Sequence, residues 1–368
     1  MKKSLIAIAV LAATSSAAFA QSNVTIYGIL DAGITAERGG AQGNNTKVTS
    51  GAASASRIGF KGTEDLGGGL SAIFKLEAGV KVDDGALDNT NNVLFNREAF
   101  VGLSSKTAGT LTIGRQYTPY YETLRDIGDP FAMGYAGTAK NLFPVASYMT
   151  RNSNAVVYKT PNLEGFTGAV SYSLGEQQGD ASAARQVGGS LAYGNGPLNI
   201  AVAYNMKNND TTAVGTTPAV SAGVGHNTLV AANYDFKVVK LYAAFSKDKG
   251  YGSSPINGTS GPNASTSFYG YTFAPSKDSN DALVGLTAPV SEAGTVMASY
   301  IRKNDKESFN RDADQWAIGY NYALSKRTST YVAYAKIKNK NGAGYTVGNN
   351  TEAGSGDKAF NLGLKHTF

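Results

Sequence analysis

The feature that most constrains the fold of this chain is a two-residue alternation of apolar side chains with small or polar ones. Over residues 316–324 the even positions are Trp, Ile, Tyr, Tyr and Leu, whereas the odd positions are Ala, Gly, Asn and Ala. Residues 166–174 and 200–206 repeat the pattern. Because successive side chains of a β-strand point to opposite faces, this period predicts strands of about ten residues, each with one apolar face.

The composition of the second face distinguishes a membrane barrel from a soluble β-sandwich. A sandwich strand favours Lys, Glu and Thr on its polar face, whereas here that face is often Gly, Ala, Ser or Asn, and the apolar face ends in Tyr or Phe. Apolar-out, polar-in strands with terminal aromatic residues are typical of a transmembrane β-barrel. The bilayer requires such a sheet to close, since an open edge would leave backbone groups without hydrogen bonds. We therefore predict a barrel, with a secreted sandwich or solenoid as the alternative.

Turn residues divide the chain into sixteen predicted antiparallel strands, and single-chain bacterial barrels have an even number. The short turns of such barrels lie on the periplasmic side, which places both termini in the periplasm. The long connections comprise residues 37–51, 83–92, 119–150, 207–223, 251–279 and 340–356. The strands are predicted to start near Asn23, Ala52, Gly68, Asn91, Gly109, Asn152, Gly165, Ala184, Pro197, Val224, Val238, Asn280, Ala293, Asp312, Arg327 and Asp357.

The N-terminus predicts export from the cytoplasm. Two lysines precede an apolar run over residues 5–13, and Ala18-Phe19-Ala20 follows it. A positive start, a short apolar segment and an A-x-A cleavage site indicate a secretory signal peptide over residues 1–20. The apolar run is about half of the ~20 residues that a membrane-spanning helix needs. One barrel domain is predicted over residues 21–368.

Charge and cysteine content exclude several other classes of protein. The chain has 33 basic and 27 acidic residues, a formal net charge of +6, and the loss of the two leader lysines leaves 31 against 27. This mild, dispersed charge lacks the basic clusters of nucleic-acid-binding proteins, so no nucleic-acid partner is predicted. The chain contains no cysteine, which excludes disulfides and thiol chemistry.

An enzyme is the rival interpretation of an outer-membrane barrel, and the sequence argues against it. Nucleophilic hydrolysis usually pairs a Ser or Thr with a His base, and the chain has two histidines, His226 and His366. His366 shares the parity of Leu364 and Phe368, which places it on the outer face, and His226 lies beside a Gly-rich segment without an identifiable acid partner. We predict no catalytic residue.

The same scarcity of ligands argues against a metal centre or a bound cofactor. One outer segment carries Asp83, Asp84, Asp88 and Asn89, whose oxygens could hold a weakly bound Ca²⁺. A solvated loop is the favoured interpretation of that segment. The chain has no G-x-x-x-x-G-K motif for phosphate binding. We predict no cofactor and no metal.

The long connection over residues 119–150 differs in kind from the others, which are rich in Gly, Asn, Ser and Thr. Apolar side chains of a loop need a surface to pack against, and sixteen strands enclose a lumen wide enough for water. We predict that this loop folds into the lumen and narrows it, with a surface loop at an oligomer contact as the alternative. Its large apolar side chains are Tyr120, Tyr121, Leu124, Phe131, Met133, Tyr135, Leu142, Phe143, Val145, Tyr148 and Met149.

Arginines gather on the strands that are predicted to face this loop. Ile58 and Phe60 take the lipid face, so Arg57 points into the lumen. The same argument assigns Phe100 to the outer face and Arg97 to the inner face. Arg151 lies where the loop returns to the wall. Because Arg is permanently charged and stiff, such a cluster can keep its geometry in water.

Carboxylates and one lysine complete the predicted constriction. Glu122, Asp126 and Asp129 lie in the first part of the loop, and Lys75 shares an inner face with Glu77. Like charges across a narrow throat of low dielectric raise the local anion concentration, and carboxylates opposite would make the field transverse. The set predicts a modest preference for anions. Scattered surface ion pairs are the alternative.

Several segments, in their order along the chain, resemble the general trimeric porins of Gram-negative bacteria, in the branch typical of β-proteobacteria. The resemblance covers nearly the whole mature chain. It implies a sixteen-stranded barrel, a homotrimer, an in-folded third loop and wall arginines that face loop acids. The segments are VTIYGILDAG at 24–33, SRIGFKGTEDLG at 56–67, NREAFVGL at 96–103, GRQ at 114–116, RNSN at 151–154 and FNLGLKHTF at 360–368.

The resemblance also assigns residues to specific roles. The matching wall arginines are Arg57, Arg97 and Arg151, and Phe368 looks like the family's assembly signal. Arg115 matches a further family arginine, but its parity places it outside the lumen. We assign Arg115 and Glu98 to trimer contacts, because a charge on the lipid face costs about 2–4 kcal/mol at the midplane.

The function that these expectations imply is that of an outer-membrane porin. It would be a water-filled channel for passive diffusion of ions and small hydrophilic solutes, with a modest preference for anions. A substrate-specific outer-membrane channel is the alternative. The expected partners are two further copies of the chain, outer-membrane lipid and lipopolysaccharide, the outer-membrane assembly machinery, and the permeating solutes.

Overall fold

The computed structural model describes residues 23–88, 93–145, 147–250, 266–268, 271–273 and 276–368. The predicted signal peptide over residues 1–20 lies outside the described residues. Seventeen strands form one antiparallel sheet: β1 (Asn23–Gly40), β2 (Gly43–Ser50), β3 (Arg57–Gly67), β4 (Leu70–Gly79), β5 (Glu98–Ser105), β6 (Gly109–Tyr117), β7 (Arg151–Lys159), β8 (Phe166–Ser173), β9 (Gln186–Asn195), β10 (Leu198–Asn208), β11 (Val224–Asp235), β12 (Lys240–Lys249), β15 (Asp278–Pro289), β16 (Gly294–Asp305), β17 (Ala313–Ala323), β18 (Thr328–Asn339) and β19 (Lys358–Thr367). A separate hairpin contains β13 (Thr266–Phe268) and β14 (Tyr271–Phe273).

The sheet closes on itself through its first and last strands. β1 pairs with β19 from Ile29 opposite Thr367 to Arg38 opposite Lys358. On its other edge, β1 pairs with β3 along its first half and with β2 along its second half. β2 and β3 are thus two parts of one barrel position, so seventeen strands occupy sixteen positions. The prediction of a closed sixteen-stranded antiparallel barrel is confirmed.

The first outer connection differs from the prediction. Most of the predicted long loop over residues 37–51 is strand, because β1 continues to Gly40 and β2 begins at Gly43. The strand predicted to start near Ala52 is interrupted there and resumes at Arg57. The cause is the buried carboxylate of Asp31, which accepts hydrogen bonds from the backbone N–H groups of Ala53 (3.0 Å) and Ser54 (2.6 Å).

The alternation of exposed and buried residues follows the predicted faces. Trp316 and Ile318 are 48% and 53% exposed, whereas Ala317 between them is 4% exposed. Residues 200–204 alternate in the same way. The exposed apolar side chains cover the outside of the barrel, where lipid takes the place of a protein core.

Residues 119–150, which we call the inner loop, contain the helical part of the described structure. A helix (Pro119–Thr123) continues into a π-helical turn (Leu124–Gly128), and a 3₁₀ turn (Ala139–Asn141) and a short helix (Ser147–Thr150) follow. The first helix starts with Thr118, whose hydroxyl accepts a hydrogen bond from the N–H of Tyr121 at 3.1 Å. In the described part of the chain, no helix has the length and apolar character to cross a bilayer.

The packed core lies inside the barrel, between the inner loop and the wall. Tyr120, Leu124, Phe131 and Leu142 are at most 1% exposed. The wall that they contact presents small side chains, mainly Ala, at its inward positions. Burial of each large apolar side chain contributes about 1.5–3 kcal/mol, which explains why a loop of this composition packs inward.

Candidate functional site

Side chains of the wall hold the first part of the inner loop. The hydroxyls of Tyr120 and Ser246 are 2.8 Å apart, and Ser246 donates to the carboxylate of Asp248 at 2.8 Å. The side-chain amide of Asn233 donates to the carbonyl of Ile127 at 3.0 Å. β11 and β12, which carry these wall residues, therefore fix the start of the loop against the inner face.

A buried lysine on β16 holds the middle of the inner loop. The Nζ of Lys303 donates to the carbonyl of Leu142 at 3.1 Å. The same Nζ donates to Asp281 at 2.8 Å and to Ser279 at 3.0 Å. Both side chains of the Lys303–Asp281 ion pair are fully buried. Loss of one partner from such a pair leaves an uncompensated buried charge. We therefore expect this anchor not to tolerate replacement of Lys303 or Asp281 alone.

Amide side chains complete the attachment of the inner loop. Asn141 donates to the side-chain oxygen of Gln315 at 2.7 Å, and Gln315 donates to the carbonyl of Gly137 at 3.1 Å. Asn350, in the last outer connection, donates to the carbonyl of Met133 at 2.9 Å. The loop thus crosses the lumen and contacts both the wall and an outer segment. An in-folded loop is what the apolar composition of residues 119–150 predicted.

The three predicted wall arginines lie together, and we call Arg57, Arg97 and Arg151 the arginine cluster. Arg97 donates from Nε to Glu77 at 2.7 Å and from its terminal nitrogen to the hydroxyl of Tyr117 at 2.6 Å. Arg151 donates to the same hydroxyl at 2.7 Å. A terminal nitrogen of Arg57 lies 3.7 Å from Glu77. Tyr117 and Glu77 are therefore the acceptors around which the cluster is organised.

The strand register explains how Glu77 reaches the arginine cluster. Tyr27, Gly59, Glu77 and Glu98 lie directly opposite one another across β1, β3, β4 and β5. The hydroxyl of Tyr27 donates to Glu77 at 2.8 Å. Sequence parity placed Glu77 on the inner face, but its role as an acceptor for the cluster requires this cross-strand alignment.

The structure corrects the predicted position of Glu98. Lys75 lies opposite Phe100 and donates a hydrogen bond to Glu98, and its Nζ is 3.7 Å from Glu77. Glu98 and Phe100 therefore face inward, whereas Val101 is 61% exposed on the outer face. The prediction that Glu98 lies outside the barrel at a trimer contact was wrong. This error arose because Phe100 was assigned to the lipid-facing side of the strand from its apolar character alone.

Two of the three predicted loop acids have their own cationic partners. Glu122 pairs with Lys159 of β7, with a shortest distance of 2.7 Å. Asp126 accepts two hydrogen bonds from Arg125, at 2.6 and 2.8 Å, and its side chain is 55% exposed. Both carboxylates lie in the inner loop, as predicted, but each is paired locally and is not bonded to the arginine cluster.

The third predicted acid, Asp129, is a structural residue of the inner loop. It is 2% exposed and accepts hydrogen bonds from the backbone N–H groups of Phe131 (2.9 Å), Met133 (3.0 Å) and Ala139 (3.0 Å). Burial raises the pKa of its carboxyl to about 6. The expectation that Asp129 faces the throat was wrong, because its oxygens bind the loop's own backbone. One of these partners, Met133, has a φ of 64°, a conformation that needs such support.

The inner loop contributes two cations that sequence reasoning did not assign to the site. The guanidinium of Arg125 lies over the rings of Tyr117 and Tyr121, at 5.2 and 5.7 Å from their centroids. These rings stack on each other with centroids 5.1 Å apart. The basic residues in the loop sequence are the signal that indicates such cations.

Lys140 is the second loop cation. Its Nζ donates to the carbonyl of Asn350 at 2.6 Å and lies 5.8 Å from the ring centroid of Tyr121. Burial, followed by the charges of the arginine cluster, lowers its pKa to about 7. The side chain of Lys140 therefore loses its proton at a lower pH than an ordinary lysine does.

Arg115 lies on the outer face, as its parity predicted. It is opposite Ala99 and shares its side with Ile113, which is 55% exposed. Its Nε donates to the carbonyl of Asn96 at 2.6 Å, and a terminal nitrogen donates to the hydroxyl of Ser153 at 2.9 Å. A register shift between β6 and β7 at this position brings Ser153 within reach.

The two histidines have hydroxyl partners. The Nδ1 of His226 is 2.7 Å from the hydroxyl of Tyr204, and the Nδ1 of His366 is 2.9 Å from the hydroxyl of Thr328. Within the described ranges, no group of three or more His, Cys, Asp or Glu side chains is close enough to hold a metal. Asn89 of the calcium hypothesis lies outside those ranges.

A closed sixteen-stranded barrel with a lipid-facing apolar surface and a charged lumen that a loop crosses is the architecture of a Gram-negative outer-membrane channel. The chain belongs to the Gram-negative porin family, which it matches over residues 7–342. It is accordingly an outer-membrane porin, a channel for ions and small hydrophilic solutes, and not an enzyme.

The relatives support this assignment over the whole chain. Outer membrane porin protein 32 of Delftia acidovorans is 35% identical, with 100% of both chains covered. An outer membrane porin protein of Bordetella pertussis is 34% identical over 370 residues, which cover 91% of this chain and 94% of the relative. The solved structure of an anion-selective porin from Comamonas acidovorans superimposes with a TM-score of 0.73 at 29% identity, over 94% of this chain and 100% of that one.

Proposed function

We propose that this porin is a general diffusion channel that favours anions, and that the inner loop narrows its lumen beside the arginine cluster. The observation that carries the proposal is the charge of the inner wall. The arginine cluster and Lys75 supply four positive charges, and Glu77 and Glu98 supply two negative ones, while Lys140 and Asp88 beside the cluster add one charge of each sign. The excess of two positive charges lies where the inner loop meets the wall, beside the stacked ring of Tyr121.

The inner loop does not offset this excess. The carboxylate of Asp126 is matched by Arg125, and that of Glu122 by Lys159. Asp129 is buried against backbone donors. The field that a permeating ion meets is therefore set mainly by the wall, which differs from the transverse field that loop acids would produce.

The size of the preference follows from Coulomb's law. Two unit charges about 4 Å apart interact by about 1 kcal/mol in water and by about 4 kcal/mol at an effective dielectric constant of 20. After partial cancellation by the two carboxylates, a bias of about 1 kcal/mol remains, which is roughly fivefold. This preference shrinks as salt screens the fixed charges. The Comamonas acidovorans relative is described as anion-selective, in agreement with the proposed sign.

The proposal includes three partners besides the permeating solutes. Two further copies of the chain would cover the outer-face charge of Arg115, which is unfavourable toward lipid. Lipopolysaccharide would contact the outward basic residues near the outer rim. The outer-membrane assembly machinery would recognise the last strand, β19, and its terminal Phe368. Loss of the last two partners should leave the selectivity of an inserted pore unchanged.

Replacement of all three residues of the arginine cluster by Gln tests the proposal. Gln keeps hydrogen-bonding capacity toward Glu77 and Tyr117 but removes the charge. The reversal potential of the variant in a planar bilayer under a KCl gradient should move to neutrality or to cation preference, and its conductance should not fall. Heat-modifiable migration on a gel checks that the barrel has folded.

The matched control replaces by Gln three arginines that do not face the lumen. Arg38 shares the outer parity of Ile34, Arg302 shares that of Tyr300, and Arg327 lies in the short turn between β17 and β18. This control should keep the wild-type reversal potential. A cluster variant that also keeps that potential would show that the arginines do not set selectivity. Saturation of the current by one solute at low concentration would instead favour the substrate-specific channel.

A further inference from the structure

The outer face of the barrel carries an apolar groove of about 280 Å³ across β16, β17 and β18. Ile318 and Tyr320 of β17 form one side, Val332 and Tyr334 of β18 form the other, and Val296 of β16 adds to the lining. Ile318 is 53% exposed, so the groove opens toward lipid. These side chains lie in two successive cross-strand rows of the sheet.

The next two rows of the same strands are aromatic and charged. In the first row, Trp316 lies opposite Lys336; in the second, Asp314 lies between Arg302 and Lys338. We call Lys336 and Lys338 the lysine pair. Since each two-residue step advances a strand by about 6.6–6.8 Å, the lysine pair lies about 7–20 Å from the groove along the strand.

The lysine pair lies toward the outside of the cell. The end of β18 that carries the lysine pair leads into the long connection over residues 340–357, whereas the other end of β18 follows the short turn over residues 324–327. Long loops of outer-membrane barrels are extracellular and short turns are periplasmic. Trp316 and Tyr334, whose ring centroids are 5.3 Å apart, then stand at the level of the extracellular aromatic girdle, with the groove in the outer leaflet below them.

Positive charge remains in excess at this level. Arg302 lies 3.3 Å from Asp312 and 3.6 Å from Asp314, and Lys340 lies 2.8 Å from Asp314. The negative charges of Asp312 and Asp314 therefore balance the positive charges of Arg302 and Lys340. The lysine pair makes no ion pair within the described residues. Lys358 of β19 lies directly opposite Lys336, and its own charge is matched by Asp357 at 3.7 Å.

We infer that this face binds one molecule of lipopolysaccharide, with a lipid phosphate at the lysine pair and an acyl chain in the groove. The inference rests on the proposed contact with lipopolysaccharide and identifies its place. The distance from cations to groove suits an amphiphile whose phosphate lies at the membrane surface and whose chain enters the outer leaflet. A free phosphate would use the cations and leave the apolar groove without a function.

The test measures lipid A binding to protein that has been refolded without lipopolysaccharide. In the variant Lys336→Gln/Lys338→Gln, affinity for diphosphorylated lipid A should fall about 25-fold, because each basic residue near an anionic lipid surface contributes about fivefold. The variant Val332→Trp, which fills the groove and keeps both lysines, should also bind lipid A more weakly. Dephosphorylated lipid A should bind wild-type protein and the lysine variant equally weakly.

The matched control is Lys326→Gln/Arg327→Gln, which removes two positive charges from a periplasmic turn and should bind lipid A as the wild type does. Equal affinity of the lysine variant and the wild type would overturn the inference, as would an equal loss in the control. If inorganic phosphate, at a concentration that saturates its binding to the protein, displaces lipid A, the site would be assigned to free phosphate instead. Neither the Lys336/Lys338 substitutions nor the Lys326/Arg327 substitutions should alter the reversal potential. A failure of the lipid A inference can therefore be distinguished from a failure of the proposed anion selectivity.

Discussion

Lys140 is a charge beside the arginine cluster whose protonation changes near neutral pH. Its pKa lies at about 7, below the ordinary value of 10.5, because burial disfavours the ammonium and the arginine cluster repels it. The groups that face it are the arginine cluster, Asp88, the ring of Tyr121 and the carbonyl of Asn350. The arginines stay charged throughout the physiological range.

The first prediction concerns this titration. Because the pKa is lowered, Lys140 carries its charge below about pH 7 and loses it as the pH rises. A unit charge about 10 Å from an ion in water contributes about 0.4 kcal/mol, or about twofold in relative permeability. The anion-to-cation permeability ratio should therefore fall about twofold between about pH 6 and pH 8.5. Reversal potentials at fixed low salt measure it.

The control for this prediction is Lys140→Met, which removes the titrating group and keeps an apolar side chain against Tyr121. Its permeability ratio should not change over the same pH range. If the ratio of this variant falls as the wild-type ratio does, another group is responsible, and Asp88, whose pKa is raised by burial, is the first to examine.

Individual residues also show where sequence reasoning stops. Arg57 could be assigned to the inner wall from parity, and Arg151 from the position of the loop junction. Arg97 also faces inward, but it precedes β5, and the parity argument from Phe100 does not support its assignment. Glu98 was assigned to the wrong face, because alternation within β5 defines only which residues share a face, and the aromatic side chain of Phe100 was an unreliable guide to which face meets lipid. Asp129 could not be assigned correctly, because its partners are backbone N–H groups that converge only when the inner loop has folded.

The closing strands depend on a close contact between Gly28 and the last residue. The backbone N–H of Phe368 donates to the carbonyl of Gly28 at 3.1 Å, and the reverse bond is 3.0 Å. A Cβ at position 28 would collide with the ring of Phe368. A glycine in β1 is therefore what allows the terminal aromatic ring to lie on the barrel seam.

The second prediction tests that seam. Deletion of Phe368 should lower the yield of heat-modifiable trimer, because the last strand loses its final backbone pair and its aromatic end. Gly28→Val should lower it as well, since overpacking costs about 1–3 kcal/mol. Semi-native gels of membrane fractions measure the folded amount.

Gly168→Val is the matched control for Gly28→Val. A Cβ at position 168 has its nearest neighbour at 3.4 Å, an ordinary contact, so this variant should fold in normal amounts. Normal trimer yield from the Phe368 deletion would contradict a role for this residue in assembly.

Sequence patterns predicted the regular strands and the inner loop better than the interruption of the wall. Alternation defines a strand wherever one face meets lipid, and an apolar loop must find a surface. The break between β2 and β3 has a different origin, the capture of two backbone N–H groups by Asp31. These hydrogen bonds depend on a side chain of another strand, so the local sequence around residues 51–56 does not predict the break.

For the assembled porin, Arg115 tests the proposed trimer. Its guanidinium is on the outer face of β6, where exposure to lipid would be costly. The third prediction is that Arg115→Glu lowers the dissociation temperature of the trimer, because the contacts with Asn96 and Ser153 are lost and a carboxylate enters the interface. Single-pore conductance should change little.

Lys326→Glu makes the same change of charge at a periplasmic turn and should leave the dissociation temperature unchanged. Dissociation temperatures come from gels of samples heated in steps. A fall in conductance for Arg115→Glu with a wild-type dissociation temperature would place this residue in the lumen and contradict its outer position.

The bonds that hold the inner loop have a consequence for the order of events during folding. Met133 is bound by a residue 217 positions later, Lys140 by one 210 positions later and Tyr120 by one 126 positions later. Contacts between such distant parts of a chain form late, and here they require most of the wall to be in place. The barrel should therefore close first and dock its loop afterwards. If the loop docks last, a newly inserted pore would have an unobstructed lumen until docking, and the permeability of the membrane in that interval would depend on how fast the loop docks.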